Sequence, residues 1–132
     1  MAMFDQTCAS DLLALLLNDT AFSAVSATNI LLGTNTPTAT ANMTQLSNGG
    51  GYTTGGSSIT WNSIGGDAAT SNSNTVSWTN SSGGSWVLVG LEIWNSGATV
   101  RYLFGTWTGQ PVTVAVGNTF QVAPAAIQVA LV

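Results

Sequence analysis

Two periodicities divide the chain. Apolar residues first recur every three and four positions: Phe4, Cys8, Leu12, Leu15 and Leu16 mark one stripe, which Leu13 and Leu17 widen. The spacing predicts a helix over about 5–18, with Thr7 or Ser10 as N-cap and Asp11 favoured near the positive helix end. A face this broad is expected to be buried on more than one side, against a sheet or a neighbouring subunit. Further along the period falls to two. Short runs rich in Val, Ile, Trp and Tyr, separated by Gly, Asn, Ser and Pro, predict antiparallel strands near 29–32, 57–61, 75–78, 86–94, 100–107, 112–116, 119–122 and 127–131. About eight strands and one short N-terminal α-helix make an all-β chain, an antiparallel, jelly-roll-like β-sandwich in a single domain over 1–132. Two stretches, 34–56 with Pro37 and 62–74, are expected as long surface loops of the kind that carry contacts or function.

The hairpin over 86–107 is the most informative unit. If NSGA at 95–98 is its loop, Trp94 pairs with Thr99, and the ladder sets Glu92 opposite Arg101, Leu88 opposite Gly105, Gly90 opposite Leu103 and Trp86 opposite Trp107. Val87, Val89, Leu91, Ile93, Val100, Tyr102 and Phe104 then share one apolar face, the expected core. The other face carries Trp86, Leu88, Trp94, Leu103 and Trp107 around one ion pair. Left in water it exceeds the apolar patch a monomer normally shows, so a cover is expected, either from this chain or from a partner. On the first alternative the Glu92–Arg101 pair serves to avoid an unpaired buried charge.

Composition narrows the chemistry. The 132 residues suffice for a core: roughly two-thirds of the open chain's surface leaves water at this size. Hydrophobic residues make up 45%, but charged residues only 5%, against about 25% in an average soluble domain. Arg101 is the single basic residue, there is no histidine, and Asp5, Asp11, Asp19, Asp67 and Glu92 are the acids. Such a chain cannot neutralise a phosphate backbone, so nucleic acid is not expected as a partner. It lacks the usual zinc ligand sets and a histidine base for a Ser or Cys nucleophile, so neither cofactor nor enzyme activity is expected. The longest apolar run, LLALLL at 12–17, is far short of the roughly 20 residues of a membrane span. It also lacks a basic flank and a small-residue cleavage site, so neither membrane partner nor signal peptide is expected. Cys8 alone makes no internal disulfide and suits a small buried position. Neutral Ser, Thr, Asn and Gly hydrate the surface instead, and weak repulsion between copies favours self-assembly or docking.

Few residues remain as candidates for chemistry. Asp67 and Glu92 are the carboxylates to consider for glycoside cleavage, but Asp67 lies in a Gly- and Ser-rich stretch and Glu92 has Arg101 as partner. The glycine runs at 49–51 and 55–56 lack the lysine and helix of a phosphate loop. Glycosylation patterns at Asn18, Asn42 and Asn80 are expected by chance in a chain this rich in Asn, Ser and Thr. The five tryptophans, Trp61, Trp78, Trp86, Trp94 and Trp107, stand near Asn and Thr, the pairing that stacks sugar rings and bonds their hydroxyls. A carbohydrate-binding module is therefore the competing reading, with core packing the alternative for Trp61 and Trp78.

The order of motifs resembles a family of small bacteriophage structural proteins of the tail fibre-like, neck appendage and minor capsid or tail type. A Leu-rich helix runs into NDTAF at 18–22, and LLGTNTPT at 31–38 is similar to the family's apolar strand and T-x-x-P-T turn. QLSNGGGY at 45–52 looks like its E-V-S-G-G-G-Y signature. The N…V-x-W segment at 74–78, G-x-W at 84–86, VGLEIWN at 89–95, YLFGTWT at 102–108 and VTVAVGNTFQVAPAAIQVAL at 112–131 follow in order. Thr53 replaces the basic residue that commonly follows GGGY, and Asn118 a frequent Asp. The resemblance implies a β-sandwich virion component without catalytic centre or cofactor, docked as a decoration or appendage. Its expected partners are other virion proteins and further copies of itself, a trimer preferred, with a glycan as the alternative ligand.

Overall fold

The computed structural model describes residues 3–18, 27–66 and 68–130. Their order is β1 (Met3–Phe4), α1 (Gln6–Asn18), β2 (Ala27–Gly33), β3 (Ser57–Ser58), β4 (Ala69–Ser71), β5 (Val76–Thr79), β6 (Trp86–Leu88), β7 (Gly90–Asn95), β8 (Arg101–Thr106), β9 (Val112–Val114), β10 (Thr119–Val122) and β11 (Gln128–Ala130). The protein is thus mostly β: short antiparallel strands in several small sheets, with one N-terminal helix. A five-stranded sheet runs β1-β8-β7-β2-β3, and three two-stranded ribbons pair β10 with β5, β11 with β4 and β6 with β9. NDTAF and Asp19 lie wholly or partly, and Asp67 and Leu131 wholly, outside the described residues.

One apolar cluster joins these sheets. Ile30 and Leu32 of β2, Leu91 and Ile93 of β7 and Leu103 of β8 alternate onto one face of the large sheet. They meet Val76 and Trp78 of β5, Trp86 and Leu88 of β6, Val114 and Val122. The GGGY turn supplies Tyr52, 2% exposed, whose hydroxyl accepts from Leu32 N (3.3 Å) and Gln45 Nε2 (2.7 Å). Burial pushes the Tyr52 phenol up, although these two hydrogen bonds oppose it. Gly51 in this turn has φ +92°, and a Cβ there would lie 1.9 Å from Thr79 O, so only glycine fits. Two interior asparagines, Asn72 and Asn80, replace charge as fasteners. Asn72 bonds Asn74 O, Ala123 O and Ile127 N, while Asn80 bonds Gly84 O, Val114 O and Ser82. Glycosylation at Asn80 would require unfolding.

The expected hairpin is corrected in three respects. The strand over 86–94 is two strands: Val89 N bonds Gly33 O (2.9 Å) and the chain turns a corner, so β6 leaves β8 and pairs with β9, setting Trp86 opposite Val114 and Leu88 opposite Val112. The loop lies further along, because Asn95 N bonds Val100 O while Asn95 Oδ1 takes the N–H groups of Thr99 and Val100. A bulge then follows between the pairs Trp94–Arg101 and Ile93–Leu103, leaving Tyr102 as the extra residue. From there on Glu92 faces Phe104 and Leu91 faces Gly105, and Val87 is 45% exposed rather than in the core.

The helix also differs from expectation. Its cap is Asp5, whose Oδ1 accepts Thr7 N (2.9 Å), rather than Thr7 or Ser10. Among the described side chains of the helix Cys8 is buried, at 8% exposure, while Leu13, Leu16 and Leu17 are 57%, 70% and 76% exposed. Burial, then the charges of Asp5 and Asp11, push the Cys8 thiol up, which disfavours the reactive thiolate. No helix among the described residues is long and apolar enough to cross a membrane.

Candidate functional site

The bulge in β8 builds the centre of the site. Glu92 and Trp94 alternate onto the sheet face away from the main core, and the extra residue brings Arg101 and Phe104 to that same face. Arg101 Nη1 lies 2.7 Å from Glu92 Oε1, and its Nη2 lies 2.6 Å from Asp5 Oδ2. The guanidinium also donates from Nε to Asp5 Oδ2 (2.9 Å), from Nη1 to Ala41 O (2.9 Å) and from Nη2 to Thr38 O (2.7 Å). All five N–H groups thus have acceptors, and the planar cation sits 5.1 Å from the Phe104 ring centre.

Both carboxylates are equally occupied. Glu92 Oε1 also accepts Met43 N (2.8 Å), and its Oε2 accepts the Trp94 indole N–H (2.9 Å). Burial alone would raise Asp5, but the hydrogen bonds from Arg101 and from Thr7 N, with the Arg101 charge, hold its carboxyl below the ordinary 3.8. A Glu92 with every oxygen engaged by a donor is unsuited to act as acid or base in glycoside cleavage, and Asp67, its supposed partner, lies outside the described residues.

The cover over this face comes from the chain itself. The loop after β2 folds back over it: Met43 is buried, Thr38 and Ala41 cap Arg101, and Gly90 lets the loop approach. A Cβ on Gly90 would meet Asn35 O and Pro37 Cδ at 2.6 Å each. The first part of the expected surface excursion is therefore a lid on the ion cluster.

This arrangement separates the five residues expected at an interface. Trp86, Leu88 and Leu103, at 5%, 0% and 6% exposure, are core residues, because β6 turns away from the hairpin and the bulge changes the register. Trp107 is half-buried, with its N–H on Gly90 O (3.1 Å) and its ring 5.0 Å from that of Phe120 in an edge contact. Trp78 is also buried and stacks on Phe120. Trp94 alone of the five is both half-open and beside the ion cluster.

Two hollows adjoin Trp94. One, of about 370 Å³, lies toward the helix start and is lined by Gln6, Thr7, Thr40 and Thr99 among others. The other, of about 430 Å³, lies toward β2 and is lined by Gln45, Thr54 and Met43 among others. Trp94 and Asn42 border both. Sequence reasoning missed Asp5 and Asn42; the available signals were an acid immediately before a helical run and glycines at 33 and 90, which mark close backbone approach within strands. Compared with the models of known protein families and with curated proteins, the chain finds no match.

Proposed function

We propose that the chain is a structural component of a bacteriophage particle, docked on capsid or tail as a decoration or appendage and assembled as a homo-oligomer, a trimer preferred. In this reading the ribbons close around the core as a jelly-roll-like sandwich. The ordered motifs and the scarcity of charge support the virion placement, and one observation carries the self-assembly: the exposed Leu13, Leu16 and Leu17 of α1. At spacings of three and four they form one stripe, a patch that a solitary domain rarely leaves in water. The occupant is the same stripe on further copies of the chain, since such stripes bury one another and the helix carries no basic group to steer an acidic partner.

The test is light scattering after size exclusion, with the double change Leu16→Gln and Leu17→Gln. The native chain is expected to be oligomeric at micromolar concentration and the variant monomeric with unchanged far-ultraviolet dichroism. A native chain that stays monomeric overturns self-assembly; absence of the protein from purified particles by mass spectrometry overturns the virion placement. A second reading, a glycan- or receptor-binding module on the particle, is favoured by Trp94, the half-open tryptophan bordered by one mainly polar and one mainly apolar hollow.

A further inference from the structure

Trp94 is a fixed platform. Its N–H is held by Glu92 Oε2, a buried oxygen, so the indole is anchored by its polar edge and offers ring surface to the hollows on either side. Around it the uncharged polar groups are amides and hydroxyls, of which Gln45 Nε2 already donates to Tyr52 and Thr99 Oγ1 accepts from Asn95. Gln6, Thr7, Thr40 and Thr99 border one hollow, Gln45 and Thr54 the other, and exposed Asn42 reaches both.

The charges nearby are not available to a ligand. Arg101 directs every N–H to Asp5, Glu92, Thr38 or Ala41, and both carboxylates are taken up by it and by N–H groups of Met43, Trp94 and Thr7. An anionic ligand such as a phosphate or uronic acid finds no open cation. A purely apolar ligand leaves the amides and hydroxyls unsatisfied. What fits an aromatic face ringed by neutral donors and acceptors is a molecule with C–H faces and many uncharged hydroxyls.

We propose that the groove over Trp94 binds a neutral oligosaccharide of at least two sugar units, one in each hollow, with a ring stacked on the indole and hydroxyls bonded to the exposed side chains of Asn42, Gln6, Thr40 and Thr54. The proposal rests on the glycan-binding reading for its ligand class and is independent of oligomer formation and of placement in the particle.

The intact chain is screened on an array of neutral and acidic glycans, and the best neutral oligosaccharide is titrated by isothermal calorimetry against the native protein and Trp94→Ala, Trp94→Phe and Asn42→Ala. Binding is expected to weaken at least about tenfold in Trp94→Ala and about threefold in Asn42→Ala, and to persist in Trp94→Phe, which keeps a flat ring. Thermal melts accompany each variant; if Trp94→Ala does not fold, Asn42→Ala and Trp94→Phe decide. Native affinity retained in both Trp94→Ala and Asn42→Ala, or in both Asn42→Ala and Trp94→Phe when Trp94→Ala does not fold, places the sugar elsewhere and overturns the site while the glycan reading stands. Preference for acidic glycans overturns the ligand class alone. No saturable binding to any glycan overturns both.

Discussion

Arg101 shows how one side chain organises a protein almost devoid of charge. Removing it leaves two carboxylates side by side in a buried setting, a defect worth about 3–5 kcal/mol. Arg101→Met is therefore expected to lose stability on that scale, read from the urea midpoint. Asp5 makes a prediction of opposite kind, about pH. Its folded value is depressed, so its contribution is complete above the ordinary carboxylate value of 3.8 and disappears as pH falls through the lower folded value. The melting temperature of the native chain should drop through this acid window. Asp5→Asn should start lower at neutral pH and converge with the native protein as acid is added, and parallel curves would contradict the assignment.

At the scale of elements, alternation and turn residues made most strands legible: β10 coincides with its expected span, and β2, β5 and β8 lie within a residue or two of theirs. Register was not legible, because two local events decided it. The Asn95 side chain closes the loop by taking the Thr99 and Val100 N–H groups, and Tyr102 adds one residue to β8, neither of which leaves a period in the sequence. The Glu92–Arg101 contact nevertheless forms, since the bulge returns Arg101 to the face Glu92 occupies. β4 was unreadable, a three-residue strand inside a polar stretch that leans on β11. Gly90 records the lid most clearly, and Gly90→Ala should cost about 1–3 kcal/mol by forcing Asn35 and Pro37 away. Gly83→Ala, where an added Cβ meets nothing within 4 Å, is the matched control and should shift the denaturation midpoint little.

For the whole molecule, charge is scarce, and among the described residues Asp5, Glu92 and Arg101 are buried while Asp11 is exposed. The proposed contacts between copies, through leucines and neutral loops, have little to screen, so the dissociation constant of such an oligomer should change less than about threefold between 50 mM and 500 mM sodium chloride. A steep loss of assembly with salt, measured by sedimentation, would contradict docking through α1. The long reach of the Asp5–Arg101 bond, 96 residues in sequence, has a temporal meaning too. Synthesis releases the helix well before the strand that anchors it, and during that interval its leucines have no fixed bearing relative to the sheet. If copies assemble through this helix as proposed, they can do so in the correct orientation only after translation has passed Arg101, which would couple partner choice to completion of the β8 edge.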